Sequence, residues 1–162
     1  MFTISDTIHI QAPIERCFLL STSIELVART LEMQPVSGKT SGLIEANDQL
    51  VWRGWKFGLP QMHETLITGY DRPHFFQDTM GRGRFKHFHH DHHFAEVAGH
   101  TLLHDKVRFS LPLLLGGSLV GKYVMVPHIA GLVQRRFQLL KQIAEGDEWR
   151  RYLPDEAGQV GR

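Results

Sequence analysis

Five of the seven residues from His87 to His93 are histidine, within the stretch GRGRFKHFHHDHHFAEV at 81–97. Imidazole titrates near neutral pH, moves protons and binds transition metals. Such a run can therefore hold a metal, supply a general base, or pair with a buried acid. The outcome depends on which rings share a face. Along a strand, side chains alternate between two faces. Lys86, Phe88, His90, His92 and Phe94 then lie on one side, and Phe85, His87, His89, Asp91 and His93 on the other. Phe88 and Phe94 bracket the first set, which assigns it to the interior and leaves the second solvated.

The following segment sorts more cleanly. Thr101, Leu103, Asp105, Val107 and Phe109 share one face, so Asp105 is a carboxylate on an otherwise apolar side. A two-residue hairpin loop at Ala98-Gly99 places Phe94 across from Leu103, His92 from Asp105, His90 from Val107 and Phe88 from Phe109. A two-residue slip puts His90 opposite Asp105 instead, while a one-residue slip sends the two apolar sets to opposite faces. Either acceptable register brings an inward histidine to Asp105. A buried carboxylate is costly unless paired, and an imidazole partner is held in one tautomer with a raised pKa. His90, His92 and Asp105 are thus the catalytic candidates, although the same pair can simply satisfy buried polarity.

Metal binding is the competing chemistry. His90-Asp91-His92 places two imidazoles on one face, and His63 or Asp105 is available as a third ligand. His63-Glu64 does not continue into a zincin motif, because position 67 is Ile67. No Cys-x-x-Cys occurs, and no metal or other cofactor is expected. His87, His89 and His93 form an exposed patch able to bind stray metal. Gly81-Arg82-Gly83 lacks the strand–loop–helix setting of a dinucleotide loop. Gly117 and Gly121 read as a flexible helix start, and Arg135-Arg136 as a solvated helix edge. Trp52 and Trp55 fall on opposite faces of one strand.

The elements that must position these residues follow from periodicity and turn signals. Thr3–Ile10 is a strand, Ala12-Pro13 opens a short helix, and Ser23 caps a second one through Leu31. Strands are then expected at 40–46, 49–57, 61–70, 74–80, 85–96 and 100–110, separated by Asn47-Asp48, Gly58-Leu59-Pro60, Asp71-Arg72-Pro73 and Gly81-Arg82-Gly83. Leu119, Tyr123, Val126, Ala130, Val133, Phe137, Leu140 and Ala144 recur at helical spacing. They predict one amphipathic helix over 118–145, kinked near Pro127. A curved antiparallel sheet with one apolar face needs a cover, and this helix has the matching stripe. Residues 1–145 are read as one domain and 146–162 as a polar, flexible tail.

Composition bounds the function. The chain has 162 residues, a formal net charge of +1 and one cysteine, Cys17, which is expected in the core. That charge gives no electrostatic footprint for nucleic acid. The N-terminus carries no basic run and hydrophobic segment of a signal peptide. The apolar stretch 111–133 contains Lys122, His128, four glycines and two prolines. It therefore reads as a loop and a soluble helix rather than a membrane insertion. A cytoplasmic protein is expected, and a homodimer stays open.

The chain resembles the START/polyketide-cyclase/birch-allergen superfamily, SRPBCC. The resemblance is carried by Ala12-Pro13-Ile14-Glu15-Arg16-Cys17-Phe18, Ile67-Thr68-Gly69-Tyr70-Asp71-Arg72-Pro73 and Phe76-Gln77-Asp78. It continues through Gly83-Arg84-Phe85, His90-Asp91-His92-His93-Phe94, Thr101-Leu102-Leu103-His104-Asp105 and Leu111-Pro112. The chain looks most like the bacterial single-domain branch, whose proteins are ligand-binding or cell-division-inhibitor-like. This implies an α+β helix-grip fold: a curved seven-stranded antiparallel sheet around a long C-terminal helix, with two short helices after the first strand. It also implies a small, mostly hydrophobic ligand held between sheet and helix. The family pattern has an aromatic residue near His63, and the histidine makes such a cavity more polar.

The expected ligand-binding residues are His63, Phe88, His90, His92, Phe94, Asp105, Val107, Phe109 and Tyr123, the last reaching in from the helix. Two alternatives accompany this reading. One is a cyclase or dehydratase in which a histidine oriented by Asp105 removes a proton next to a carbonyl. The other is a protein-interaction module that uses the exposed histidine face.

Overall fold

A computed structural model describes residues 1–113 and 117–153. The chain runs β1 (Phe2–Ile10), α1 (Ile14–Thr22), α2 (Ile24–Leu31), β2 (Met33–Gly38), β3 (Gln49–Lys56), β4 (Leu59–Asp71), β5 (Phe75–Met80), β6 (His87–Val97) and β7 (His100–Ser110). Then come α3 (Gly117–Val120), a π-helical turn (Gly121–Met125), α4 (Val126–Glu145) and α5 (Trp149–Tyr152). The seven strands form one antiparallel sheet in the order β1-β7-β6-β5-β4-β3-β2. Only the β1–β7 pairing is remote in sequence. It brings the first strand to the far edge and curls the meander around the helix.

Local chemistry accounts for the boundaries. Pro13 precedes α1, and Ser23 Oγ accepts from Leu26 N–H at 3.4 Å to cap α2. Ala98 and Gly99 both have positive φ, 53° and 78°. That is the requirement of a type I′ hairpin turn. It fixes the β6–β7 register with Phe94↔Leu103, His92↔Asp105, His90↔Val107 and Phe88↔Phe109 paired, as the alternation predicts.

One strand lies elsewhere than expected. The segment 40–46 is not a strand. β2 starts directly after α2, where Glu32 turns the chain in the left-handed region (φ 53°). Pro35 made this stretch a poor strand candidate. It is tolerated because β2 is an edge strand and bulges between Pro35 and Ser37. The loop after β2 instead tucks Ile44 under the sheet, with Ile44 N–H donating to the Thr22 carbonyl at 2.8 Å.

The main core lies between the inner face of β1, β5, β6 and β7 and the helices α1 and α4. Phe18, Phe76, Phe94, Leu103, Phe109, Val133, Phe137 and Leu140 are buried there. A smaller cluster of Ile24, Met33, Ile44, Leu50, Trp52 and Ile67 fills the β2–β4 end. Trp52 is the inward tryptophan and Trp55 the exposed one. Cys17 is fully buried. The packed body continues beyond 145: Trp149 and Leu153 are 3% exposed, and the Arg16 guanidinium lies over the Trp149 ring. Residues 154–162 of the expected tail lie outside the described residues.

The long helix differs from a single kinked rod. A π turn sits just before Pro127, which occupies the first turn of α4. An i→i+5 turn holds an extra residue and shifts the helix phase for everything before it. Leu119 and Tyr123 are consequently 69% and 66% exposed, so Tyr123 does not reach the interior. Gly121 fits where a side chain would not: a Cβ there would lie 2.2 Å from the Phe2 ring.

Candidate functional site

Three neighbouring strands assemble a polar cluster on the inner face. The β5–β6 register sets Asp78 beside His90, and the β6–β7 register sets His92 beside Asp105. Arg136 of α4 lies over them. Asp105 is fully buried and accepts three hydrogen bonds. His90 Nε2 donates to Oδ2 at 3.1 Å, Arg136 Nη1 to Oδ2 at 2.6 Å, and His92 Nδ1 to Oδ1 at 2.9 Å. His92 Nε2 faces Asp78 Oδ2 at 3.0 Å. The His92 ring stacks on Phe76 (centroids 4.1 Å apart) and meets the His90 ring at a tilt, with centroids 3.8 Å apart.

These contacts decide the protonation pattern. Burial alone would raise the Asp105 carboxyl, but Arg136, His92 and His90 hold it well below the usual carboxylate range. Asp78 is likewise pushed up by burial and pulled below its ordinary value, first by the His92 hydrogen bond. Burial pushes His92 down, yet Asp105 reverses this and leaves it raised. With a carboxylate at each nitrogen, the ring is an imidazolium. His90 is lowered by burial and by its cationic neighbour His92. His63 is lowered by burial, partly offset by Asp78. The two carboxylates thus face the Arg136 guanidinium and a His92 ring with a carboxylate at each nitrogen, while burial disfavours charge on His90 and His63. A neutral His90 that donates through Nε2 leaves Nδ1 as a free lone pair, 3.9 Å from Asp78 Oδ2.

The cluster is graded in exposure. Along the inner face of β6, Phe94 and His92 are buried, His90 keeps 13% of its side chain open, and Phe88 is half-buried. Asp78 is 20% open and His63 half-buried, with its ring edge-on to Phe88 at 6.1 Å. The polar groups therefore become accessible towards the end of the sheet where Phe88, Phe109 and Phe2 are register neighbours and the π turn crosses. Phe94, Val107 and Phe109 are sealed in the core and line no open space.

A void of about 10 Å³ beside Arg136, Ser21 and Leu140 has the size of one water. Arg136 Nη2 and Ser21 Oγ, from two of its lining residues, are buried without a hydrogen-bond partner among the described residues. A larger hollow of about 780 Å³ between β1, α2 and α4 is an open groove, lined by Asp6, Arg29, Arg135 and Gln138 among others.

Sequence reasoning missed two members. Arg136 was assigned to the solvated edge together with Arg135. It occupies the buried stripe instead, at helical spacing with Ile129, Val133, Leu140 and Ile143, and keeps only 13% of its side chain exposed. Asp78 shares the inward parity of Phe76 in the expected strand 74–80, and this was its available signal.

No family model matches the chain, and no curated protein does. Solved structures do. The di-domain ARO/CYC BexL from the BE-7585A biosynthetic pathway is similar with a TM-score of 0.71 and 17% identity, over 90% of this chain and 50% of that one. A protein from Thermus thermophilus gives 0.66 and 17%, over 86% and 97%. The major latex-like protein 151 of Panax ginseng gives 0.64 and 10%, over 90% and 98%. The chain has the helix-grip fold. In this helix-grip chain the inner sheet face carries the His/Asp/Arg cluster, and the gripped helix contributes Arg136 to it. Among the described residues no helix is long and apolar enough to cross a membrane.

Proposed function

We propose that this protein, as a single cytoplasmic helix-grip domain, binds a small, mostly hydrophobic ligand at the open end of the inner sheet face. The ligand's polar group would meet His90, Asp78 and His63, and its apolar body would lie against Phe88. The single observation that carries this reading is the graded exposure of the cluster. A charge-balanced network made only for stability would be closed all round, whereas this one opens at its neutral histidines.

The small void beside Arg136 is far below the roughly 300–1,000 Å³ of ordinary ligand pockets and is not lined by His90 or Phe88. Uptake at the open end would use a movement of α3 and the π turn away from β1. The helix is already interrupted there, and the exposed Leu119, Tyr123 and Val124 lie on the segment that would move. The names of the similar structures, which include a biosynthetic ARO/CYC protein, favour small-molecule chemistry for this fold.

Native mass spectrometry of untagged protein tests the proposal. A co-purifying small molecule that is lost in His90→Ala supports it. Ligand-free protein that also fails to enhance an environment-sensitive apolar fluorophore counts against it.

The free lone pair of His90 favours a second reading. With Nε2 tied to Asp105, Nδ1 can accept a proton from a carbon next to a ligand carbonyl, as a cyclase or dehydratase requires. His90→Ala, His92→Ala and Asp105→Asn should then abolish turnover in folded protein.

A further inference from the structure

Asp105 does more than neutralise charge. It bonds one nitrogen of each inward histidine, His90 Nε2 and His92 Nδ1. The opposite nitrogens, His90 Nδ1 and His92 Nε2, both turn towards Asp78 Oδ2, at 3.9 and 3.0 Å. One nitrogen of each ring and one oxygen of Asp78 all lie within 4.8 Å of one another. Ligand atoms around a zinc-sized ion at ~2.0–2.2 Å sit about 3–3.5 Å apart, so small side-chain rotations close the gap. In metal sites the free nitrogen of a ligating histidine is characteristically held by a carboxylate, which fixes the ring and its tautomer. Here one carboxylate does this for both rings, and Arg136 fixes the carboxylate.

We propose that Asp78, His90 and His92 form a binding site for one divalent first-row transition ion of the zinc or iron(II) class. The ligand atoms are Asp78 Oδ2, His90 Nδ1 and His92 Nε2, with Asp105 and Arg136 as the supporting layer. Two imidazoles and one carboxylate suit such ions and leave coordination positions open. Those positions face the open end, near His63 and Phe88. Coordination displaces the proton that His92 Nε2 shares with Asp78, and it passes to solvent. The sequence offers His63 or Asp105 as a third ligand, whereas the structure brings Asp78 to the two rings. Asp105 is excluded from that role because it holds the far nitrogens. The inference stands on side-chain geometry and does not depend on an organic ligand.

The test uses the full-length untagged chain, cleared of metal with a chelator and titrated with Co²⁺ and Zn²⁺. The expected result is one equivalent bound, with the visible absorption of a nitrogen- and oxygen-ligated Co²⁺. Affinity should fall more than about 100-fold in Asp78→Ala and His90→Ala, and about 10–100-fold in Asp105→Asn. The triple change His87→Ala, His89→Ala, His93→Ala should bind as the parent does. Nitrogen NMR of the parent protein gives a readout independent of any variant's folding: Zn²⁺ should shift His90 Nδ1 and His92 Nε2. Binding that survives His90→Ala and disappears in the outer triple variant would overturn the site. So would Zn²⁺-induced shifts confined to the outer rings, or the absence of stoichiometric binding.

Discussion

β6 and its neighbours present a carboxylate among histidines on both faces of the sheet. On the inner face Asp105 is fully buried and bonded to two imidazoles and Arg136. On the outer face Asp91 accepts from Gln77 Nε2 at 2.6 Å and from Arg108 Nη2 at 2.9 Å, and the adjacent His87, His89 and His93 leave it alone. His93 packs on the Phe75 ring instead, and Arg108 keeps 39% of its side chain in water. On β6 both faces carry histidines, but on β7 the inner face is apolar around Asp105 while the outer one bears His104, Lys106 and Arg108. What differs is the partners' access to water. Asp91 is itself buried, but its guanidinium partner Arg108 stays partly open and the flanking His87 and His93 are exposed, whereas Arg136 and His92 around Asp105 are closed in. Where solvent can satisfy each group separately, the histidines stay independent. Where it cannot, every polar group must be another's partner, and rings become fixed in tautomer and orientation.

The largest expected effect breaks this contrast at its centre. Asp105→Ala should cost about 3–5 kcal/mol, because it strands a buried guanidinium and an imidazolium. Asp91 is itself buried, but its partner Arg108 stays partly open to water, so Asp91→Ala should cost less, about 1–3 kcal/mol. Chemical denaturation of both variants measures the gap, and equal losses would end the argument for a special inner cluster. In metal-free protein the pH profile carries the same signature. The Asp105 carboxyl is lowered in the folded state, so its stabilisation is present above the unfolded value near ~3.9 and fades as pH falls through the folded one. Asp105→Asn should flatten this acid limb.

Arg136 and Arg135 are adjacent in sequence and opposite in setting. Arg136→Met removes a charged hydrogen bond to a buried carboxylate and should cost about 1.5–3 kcal/mol. Arg135→Met should stay within about 0.5 kcal/mol. A comparable loss of about 1–3 kcal/mol is expected for Gly121→Ala, which drives a methyl group into the Phe2 ring and forces the π turn off β1. If ligand uptake uses that movement, the same variant should take up an apolar fluorophore faster than the parent.

These contrasts also explain what could be read from the chain. The β6–β7 pair was legible because strand period and a two-residue turn fix register locally, and that register delivers His92 to Asp105. The inward parity of His90 and Phe94 follows from the same alternation, and Cys17 in the core follows from the apolar side of its helix with Phe18 and Leu20. β2 was hidden by Pro35, which only an edge position excuses. Tyr123 was misplaced because a π turn leaves no periodic mark, and the stripe simply appears to continue through it. Arg136 was read by its chemistry rather than its position. A charged residue on a buried stripe looks like a solvated edge until its partner, 31 residues upstream, is known.

The smallest expected effect is the sharpest check on the outer face. His87→Ala, His89→Ala and His93→Ala together remove three imidazoles from the strand that carries the candidate site. None of the three makes a side-chain hydrogen bond or ion pair among the described residues. The loss should be no more than about 0.5 kcal/mol per site, most of it from the His93 contact with Phe75. The comparison predicts that removing His90 alone costs more than removing all three, because its ring is one of the donors that satisfy Asp105. If the outer triple variant were the less stable of the two, water exclusion would not be what separates the faces. The histidine run would then act as one surface, read from outside.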